Sequence, residues 1–267
     1  MHSKRILLVG LGNFTHPNTR HSIGMVILDH IAQSLNLSWS RNKSWQATTA
    51  NVKLLVSSVP SKHAKGQPPA EAITTEIDLT LLKPRLLMNV SGSSVARAVK
   101  ELSISPSDLI VIHDDLQRSL GKTSLKFGGS SNGHNGIKSV TASLRTDAFR
   151  RVRIGIGRPP SEDNGDPKDD DAVTDHVLGS IMGSEMDVIK RLVFPLVEGE
   201  ALERLCITGE LGDGKGGEKP KESKKEKRKK RKEEEEWGGE SETEDGSIKV
   251  QVKADSETGD AVKAKDV

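Results

Sequence analysis

The stretch DLIVIHDD, residues 108–115, sets four large apolar residues in unbroken succession before a histidine and two aspartates. A half-exposed strand alternates apolar with polar residues, so this run reads as a strand buried on both faces. Such a strand needs covering layers on both sides, and the rest of the chain offers them. RILLVGLGN reads as a second buried strand, beginning near Arg5 and running into a tight Gly turn. SIGMVILDHIAQSLNL places Ile23, Val26, Ile27, His30, Ile31 and Leu35 at helical spacing, a helix packed on the sheet. SGSSVARAVKELS reads as a helix with Ser91 as N-cap and Val95, Val99 and Leu102 facing inward. IKSVTASL is a further helix and RRVRIGIG a further strand. Strands alternating with helices give an α/β fold, a three-layer α/β/α domain with a mixed, mostly parallel central sheet.

The intervening segments are less regular. SWQATTANVKLLVSSV has strand character, PSKHAKGQPPAEA reads as a loop or insertion, and DLTLLKPRLLMNV reads as a strand because Pro84 argues against a helix. The glycine density of TSLKFGGSSNGHNG marks a loop closely approached by something, and RPPSEDNGDPKDDDAVTD is a polar loop. SEMDVIKRLVFPLVEGEALERL reads as a terminal helix interrupted near Pro195. Only 33% of the 267 residues are apolar and 3% aromatic, an average over two unlike regions. Residues 1–207 form the folded domain. In 208–267 Gly, Lys and Glu dominate, so little core offsets the entropy of ordering, and the segment is expected to be a disordered charged tail. It carries KKEKRKKRKEEEEW, a basic run abutting an acidic one. Such runs are solvated as a rule; the functional reading is an RNA- or ribosome-tethering patch, or a signal sending a fraction to the nucleus.

The single cysteine, Cys206, excludes an internal disulfide framework and fits a reducing compartment. No apolar stretch is long enough to span a bilayer, so no membrane partner is expected. The four residues ahead of RILLVG are too few for a leader, which makes the cytoplasm the expected location. Net charge is +2, yet basic residues recur at Lys126, Lys138, Arg145, Arg150, Arg151 and Arg153, the pattern of a local basic face.

GLGNFTHPNTRHSIGM, residues 10–25, opens like a dinucleotide loop but does not continue as one. That fingerprint needs a third glycine at the helix start, where Thr15 stands, so no cofactor is expected. The other reading is the wall of a catalytic site. His21 ends the turn just before a helix, and Asp114 ends a buried strand at its carboxyl end, where α/β folds collect ligands. A carboxylate on one imidazole nitrogen fixes the tautomer and supports the charge formed when the other nitrogen takes a proton. Asn13, Asn89 and Asn135, at other strand ends, could position a substrate and stabilise an oxyanion without adding charge. Spacing alone does not show that these five meet, and singly each reads better as a turn or helix-start residue. No ligand spacing among His21, His113, His134 and Asp114 supports a metal site; His113 reads as buried, and His134 as a residue that could line the cleft.

Taken together, VGLGN, NTRHSIG, MNVSG, IHDDL, GGSSNGHNGIKSV and RVRIGIGRP resemble, in order, the signatures of bacterial-type peptidyl-tRNA hydrolases, over about Ile6 to Leu205. That resemblance implies an esterase that splits the bond between a peptide and the terminal ribose of tRNA, recycling tRNA after ribosomal drop-off. It implies His21 as catalytic base and Asp114 as its orienting carboxylate. It further implies Asn13, Asn89 and Asn135 as substrate-binding amides, Lys126 and Arg153 as the clamp on the tRNA 5′-phosphate, and a monomer. The chain departs from the family's pattern in Ser22 after the histidine, where Asn is usual. It departs again in Phe14-Thr15 after Asn13, where Pro-Gly is usual, within a loop about two residues shorter that lacks its usual Tyr, and in the charged tail. The alternative reading is a non-catalytic RNA-binding relative of the splicing-factor kind, which would tolerate loss of the five site residues that this chain keeps.

Overall fold

In the computed structural model, which describes residues 2–58, 73–159 and 170–211, strand β1 (His2–Gly10) is the centre of a seven-stranded sheet. It runs parallel to β4 (Ile73–Pro84) on one side, Leu7 opposite Thr80, and to β5 (Leu109–Asp115) on the other, Val9 opposite Val111. Strand β5 continues in parallel onto β7 (Arg150–Gly155). β3 (Ala47–Ser58) lies antiparallel to β4, the short β2 (Ser40–Asn42) antiparallel to β3, and the edge strand β6 (Thr123–Phe127) antiparallel to β7. The order β2-β3-β4-β1-β5-β7-β6 is therefore a mixed sheet with a parallel centre.

Side chains of the central strands alternate between two cores. Ile6 and Leu8 of β1, with Ile110 and Ile112 of β5, join α1 (Ile23–Ser34), α5 (Gly183–Leu192) and α6 (Gly199–Ile207). Leu7 and Val9, with Leu109 and Val111, join α2 (Gly92–Glu101) and α3 (Asn135–Leu144). This is the three-layer architecture that the uninterrupted DLIVIH run demanded: all seven residues of β5 are buried. Each such aliphatic side chain contributes about 1.5–3 kcal/mol relative to exposure.

Several local readings change. β1 begins at His2 rather than near Arg5. β4 stops at Pro84; the Arg85 amide bonds to the Gln46 carbonyl at 2.8 Å, and Met88–Val90 forms a 3-10 turn instead of continuing the strand. That turn runs straight into α2, so Ser91 has helical angles (φ −59°, ψ −27°) and does not cap with its side chain. Its hydroxyl donates back to the Leu87 carbonyl at 3.1 Å. TSLKF is strand β6, which leaves the glycine-dense loop to residues 128–134. The end of the presumed polar loop is helical, α4 (Asp170–Leu178). The terminal helix is broken as expected, with a 3-10 turn at Phe194–Leu196 between α5 and α6. The insertion at 60–72, the loop residues 160–169 and most of the charged tail, 212–267, lie outside the described residues.

The glycines of the opening loop serve packing. A Cβ on Gly10 would overlap the carbonyl oxygen of Gly24, and one on Gly24 the carbonyl oxygen of Ile112. Their absence lets the first turn of α1 sit directly on β1 and β5, which delivers His21 to the end of β5.

Candidate active site

His21 lies in a 3-10 turn, Arg20–Ser22, that leads into α1. Three sets of bonds hold this turn. The Arg20 guanidinium donates to Glu185 Oε1 and to the His176 carbonyl, each at 3.0 Å, and the Arg20 amide donates to the Gly179 carbonyl at 3.0 Å. Burial raises the Glu185 pKa, but the Met182 amide and Arg20 outweigh it and hold the carboxyl below its ordinary value. Inside the loop, Ser22 is wholly buried. Its Oγ accepts the Asn13 amide at 3.0 Å and the Thr19 hydroxyl at 3.1 Å, and donates to the His16 carbonyl at 2.8 Å. A small hydroxyl thus closes the short loop from within, and it is committed to the Asn13 and His16 backbone and the Thr19 hydroxyl rather than free as a nucleophile.

Asp114 receives the imidazole. Its Oδ1 lies 2.9 Å from His21 Nδ1 and 3.0 Å from His134 Nε2. Burial pushes the Asp114 pKa up; the field and hydrogen bond of His134, then the hydrogen bond and field of His21, overcome this and hold it well below the ordinary carboxylate range. An ionised carboxylate only accepts, so His21 donates from Nδ1, and in the neutral form of the ring the lone pair is on Nε2. His134 caps α3: its Nδ1 accepts the amides of Gly136 at 3.1 Å and Ile137 at 3.3 Å. With Nδ1 accepting, the hydrogen that meets Asp114 sits on Nε2 of His134. His21, Asp114 and His134 lie close enough together to hold a metal ion, but the proton on His134 Nε2 occupies the atom that would ligate one. The trio is a hydrogen-bonded set.

His113, the preceding residue of β5, is buried. Burial lowers its pKa first, the neighbouring His134 adds to this, and the result is about 3, so the ring is neutral. Its Nδ1 donates to the Asp114 carbonyl at 2.6 Å and its ring meets His134 edge-on at 4.7 Å. The cysteine is equally passive: burial pushes the Cys206 thiol up to about 12.

The asparagines lie on segments linked to this pair. Asn13 Oδ1 accepts the Met88 amide at 3.1 Å, tying the first loop to the turn Met88–Val90 that presents the exposed Asn89. Asn135, also exposed, is the first residue of α3, next to the His134 cap. A Cβ on Gly136 would overlap Met88 Sδ, so glycine there lets the start of α3 close onto the same turn. All three amides are thereby carried on segments bonded to the His21–Asp114 pair or to one another.

The basic face divides. In the β6–β7 ladder Lys126 pairs with Arg151 and Ser124 with Arg153, so these four side chains share one face of the sheet. Lys126 is half-buried, its Nζ 3.5 Å from the Ser130 carbonyl, and Arg153 lies 3.5 Å from Asp115 Oδ2. Arg151 is not available to a ligand. It is 2% exposed, and its guanidinium donates to the carbonyls of Gly128, Gly129 and Ser130, fastening the glycine-rich loop. Lys138 and Arg145 are exposed on or just after α3, and Arg150 donates to the Ser107 carbonyl.

Sequence reasoning missed the Arg20 anchor and the buried function of Arg151, because a cationic side chain reads as surface until its carbonyl partners are placed. It also left His134 at the cleft edge. The one available signal was its place just ahead of a helix start, where its ring could accept amides and orient its far nitrogen.

Comparison with known proteins places the chain among relatives of one description. Residues 7–209 match the family model described as peptidyl-tRNA hydrolase. The chain is 36% identical over 192 residues to a Mus musculus protein described as a probable peptidyl-tRNA hydrolase, covering 71% of this chain and 80% of that one. It is 41% identical over 157 residues to the peptidyl-tRNA hydrolase of Mycobacterium ulcerans, covering 58% of this chain and 72% of that one. The crystal structure of the Acinetobacter baumannii peptidyl-tRNA hydrolase superposes with a TM-score of 0.57 at 26% identity, over 78% of this chain and 91% of that one.

Proposed function

This chain belongs to the peptidyl-tRNA hydrolase family, and we propose that His21 is the base with which it hydrolyses the ester between a peptide and the terminal ribose of tRNA. The observation that carries the assignment is the 2.9 Å contact between His21 Nδ1 and Asp114 Oδ1, which leaves His21 Nε2 as the free base. Nε2 takes a proton from water as the water oxygen attacks the ester carbonyl. The carbonyl electrons move to the oxygen, giving a tetrahedral oxyanion. Asp114 stabilises the imidazolium, and the amides of Asn13, Asn89 and Asn135 orient the substrate and meet the oxyanion. On collapse the ribose oxygen departs and recovers the proton from His21. Lys126 and Arg153 hold the tRNA 5′-phosphate, a charge contact that confers affinity without sequence preference.

In this reading the enzyme needs neither cofactor nor metal and acts as a cytoplasmic monomer. Among the described residues no helix is long and apolar enough to cross a membrane. The basic run of residues 208–267 serves as an additional tether to RNA or the ribosome. A non-catalytic RNA-binding relative would have no use for the buried His21–Asp114–His134 set, and is not favoured.

The test is release of tRNA from N-acetylaminoacyl-tRNA by the unaltered chain and by His21→Ala. The base accounts for about 10²–10⁴ in rate, so kcat falls by that factor while the Kd for deacylated tRNA is kept. Full activity in His21→Ala, or no release by the unaltered chain, overturns the assignment.

A further inference from the structure

The two aspartates of IHDD serve different sites. Successive residues of a strand point to opposite faces: Asp114 turns to the histidines, whereas Asp115 turns into a cavity of about 190 Å³ lined by Asp115, Gln117, Arg118, Ser119, Lys122 and Arg153. Three cationic side chains there face one carboxylate. Asp115 Oδ1 accepts the Gln117 amide at 2.9 Å, and Oδ2 stands 3.2 Å from Arg118 Nε and 3.5 Å from Arg153 Nη1. These ion pairs are close but poorly aligned. Arg118 Nε, Arg153 Nε, the neighbouring Ser124 Oγ and Asp115 Oδ2 itself are shielded from solvent and make no hydrogen bond among the described residues. One carboxylate does not satisfy the donors of two guanidiniums, and a ligand with several acceptor oxygens would take up those left over.

The wall is stiff. The turn between β5 and β6 is stitched to the end of β7: the Gly121 amide donates to the Gly155 carbonyl at 2.9 Å, the Gly155 amide to the Lys122 carbonyl at 3.0 Å, and the Gly157 amide to the Arg118 carbonyl at 2.9 Å. The backbone that carries the cations is thus fixed before any ligand arrives, and the excess of positive over negative charge selects an anion.

We propose that this cavity is a second phosphate-binding site, in which Arg118 and Lys122 take an RNA backbone phosphate beside the one assigned to Lys126 and Arg153. Asp115 sets the spacing of the Arg118 and Arg153 guanidiniums. The inference rests on peptidyl-tRNA as substrate and extends the contact with it away from the ester, onto the turn that follows β5.

The experiment is fluorescence anisotropy of labelled, deacylated tRNA with the full chain, the Arg118→Gln/Lys122→Gln double variant and Lys122→Glu, across a salt series. The double variant should weaken binding about tenfold and lower the slope of log K against log salt by about 1. Lys122→Glu, which changes an exposed side chain and keeps the backbone bonds of the turn, should act in the same direction. Unchanged Kd and slope in both variants overturn the proposal. So does a double variant that loses calorimetric binding of inorganic phosphate while keeping its tRNA affinity, which would make this a site for the free ion. Because the ligand carries no ester, failure of the hydrolase reading shows separately: the chain would bind tRNA through this cavity and release nothing from N-acetylaminoacyl-tRNA.

Discussion

His134 donates its Nε2 hydrogen to Asp114 across 3.0 Å while its other nitrogen accepts the first amides of α3. One ring therefore couples the start of a helix to the carboxylate that orients His21, and the two duties separate by mutation. Asparagine caps helices as well as any residue but is too short to stand in for the far nitrogen of an imidazole. His134→Asn should keep stability and lower kcat about tenfold, the rate equivalent of one lost hydrogen bond. His134→Ala should lower kcat equally and also cost about 1 kcal/mol of stability. Urea denaturation beside single-turnover kinetics checks both; a His134→Asn enzyme with unimpaired kcat removes His134 from the orienting set.

His113 makes acid stability a readable property. Its folded pKa of about 3 lies below the ordinary histidine value near 6.5. Between these values the unfolded chain binds a proton that the native state refuses, so stability rises with pH across that window and falls as the pH drops through it. At still lower pH Asp114, depressed in the folded state, acts with the same sign: its contribution is present above the unfolded carboxylate pKa near 4 and is lost as its native carboxylate takes a proton. Urea midpoints for the unaltered chain should fall between pH 6.5 and 4.5, and His113→Gln should flatten that fall by about one proton. An equal slope in the two proteins would mean that His113 is protonated in the native state.

The fold was largely legible because its centre is written in unbroken apolar strands and 3.6-residue helices, patterns that survive without knowledge of neighbours. β6 was not. Its five residues carry a lysine, a serine and a threonine, and only pairing with β7 makes TSLKF a strand. Ser91 failed as a cap for a related reason: the preceding 3-10 turn had already brought the backbone into helical angles. At the site, the contact between His21 and Asp114 was readable from strand-end placement together with family resemblance, although 93 residues separate them. The assignment of Arg118 and Lys122 to a cavity was not readable, since their spacing matches any polar turn. Nor was the inward turn of the Ser22 hydroxyl, which depends on the loop's closure.

Arg151 supplies the sharpest contrast between a charge that binds and a charge that builds. Read along the strand it belongs with Arg153, and both share a face of β7. Yet Arg151 is buried, burial lowers its pKa, and its guanidinium is spent on three successive loop carbonyls from Gly128 to Ser130. Arg151→Met should leave those carbonyls unpaired at a cost of about 2–4 kcal/mol. Arg151→Lys, which keeps the charge but not the fork, should fall in between. Lys138→Ala, exposed on α3, should stay within about 0.5 kcal/mol of the unaltered chain. Urea midpoints rank the four proteins, and limited proteolysis within 128–134 reports release of the loop. Should Arg151→Met keep full stability and instead lose tRNA affinity with a shallower salt slope, the residue contacts phosphate, and the loop is held by something else.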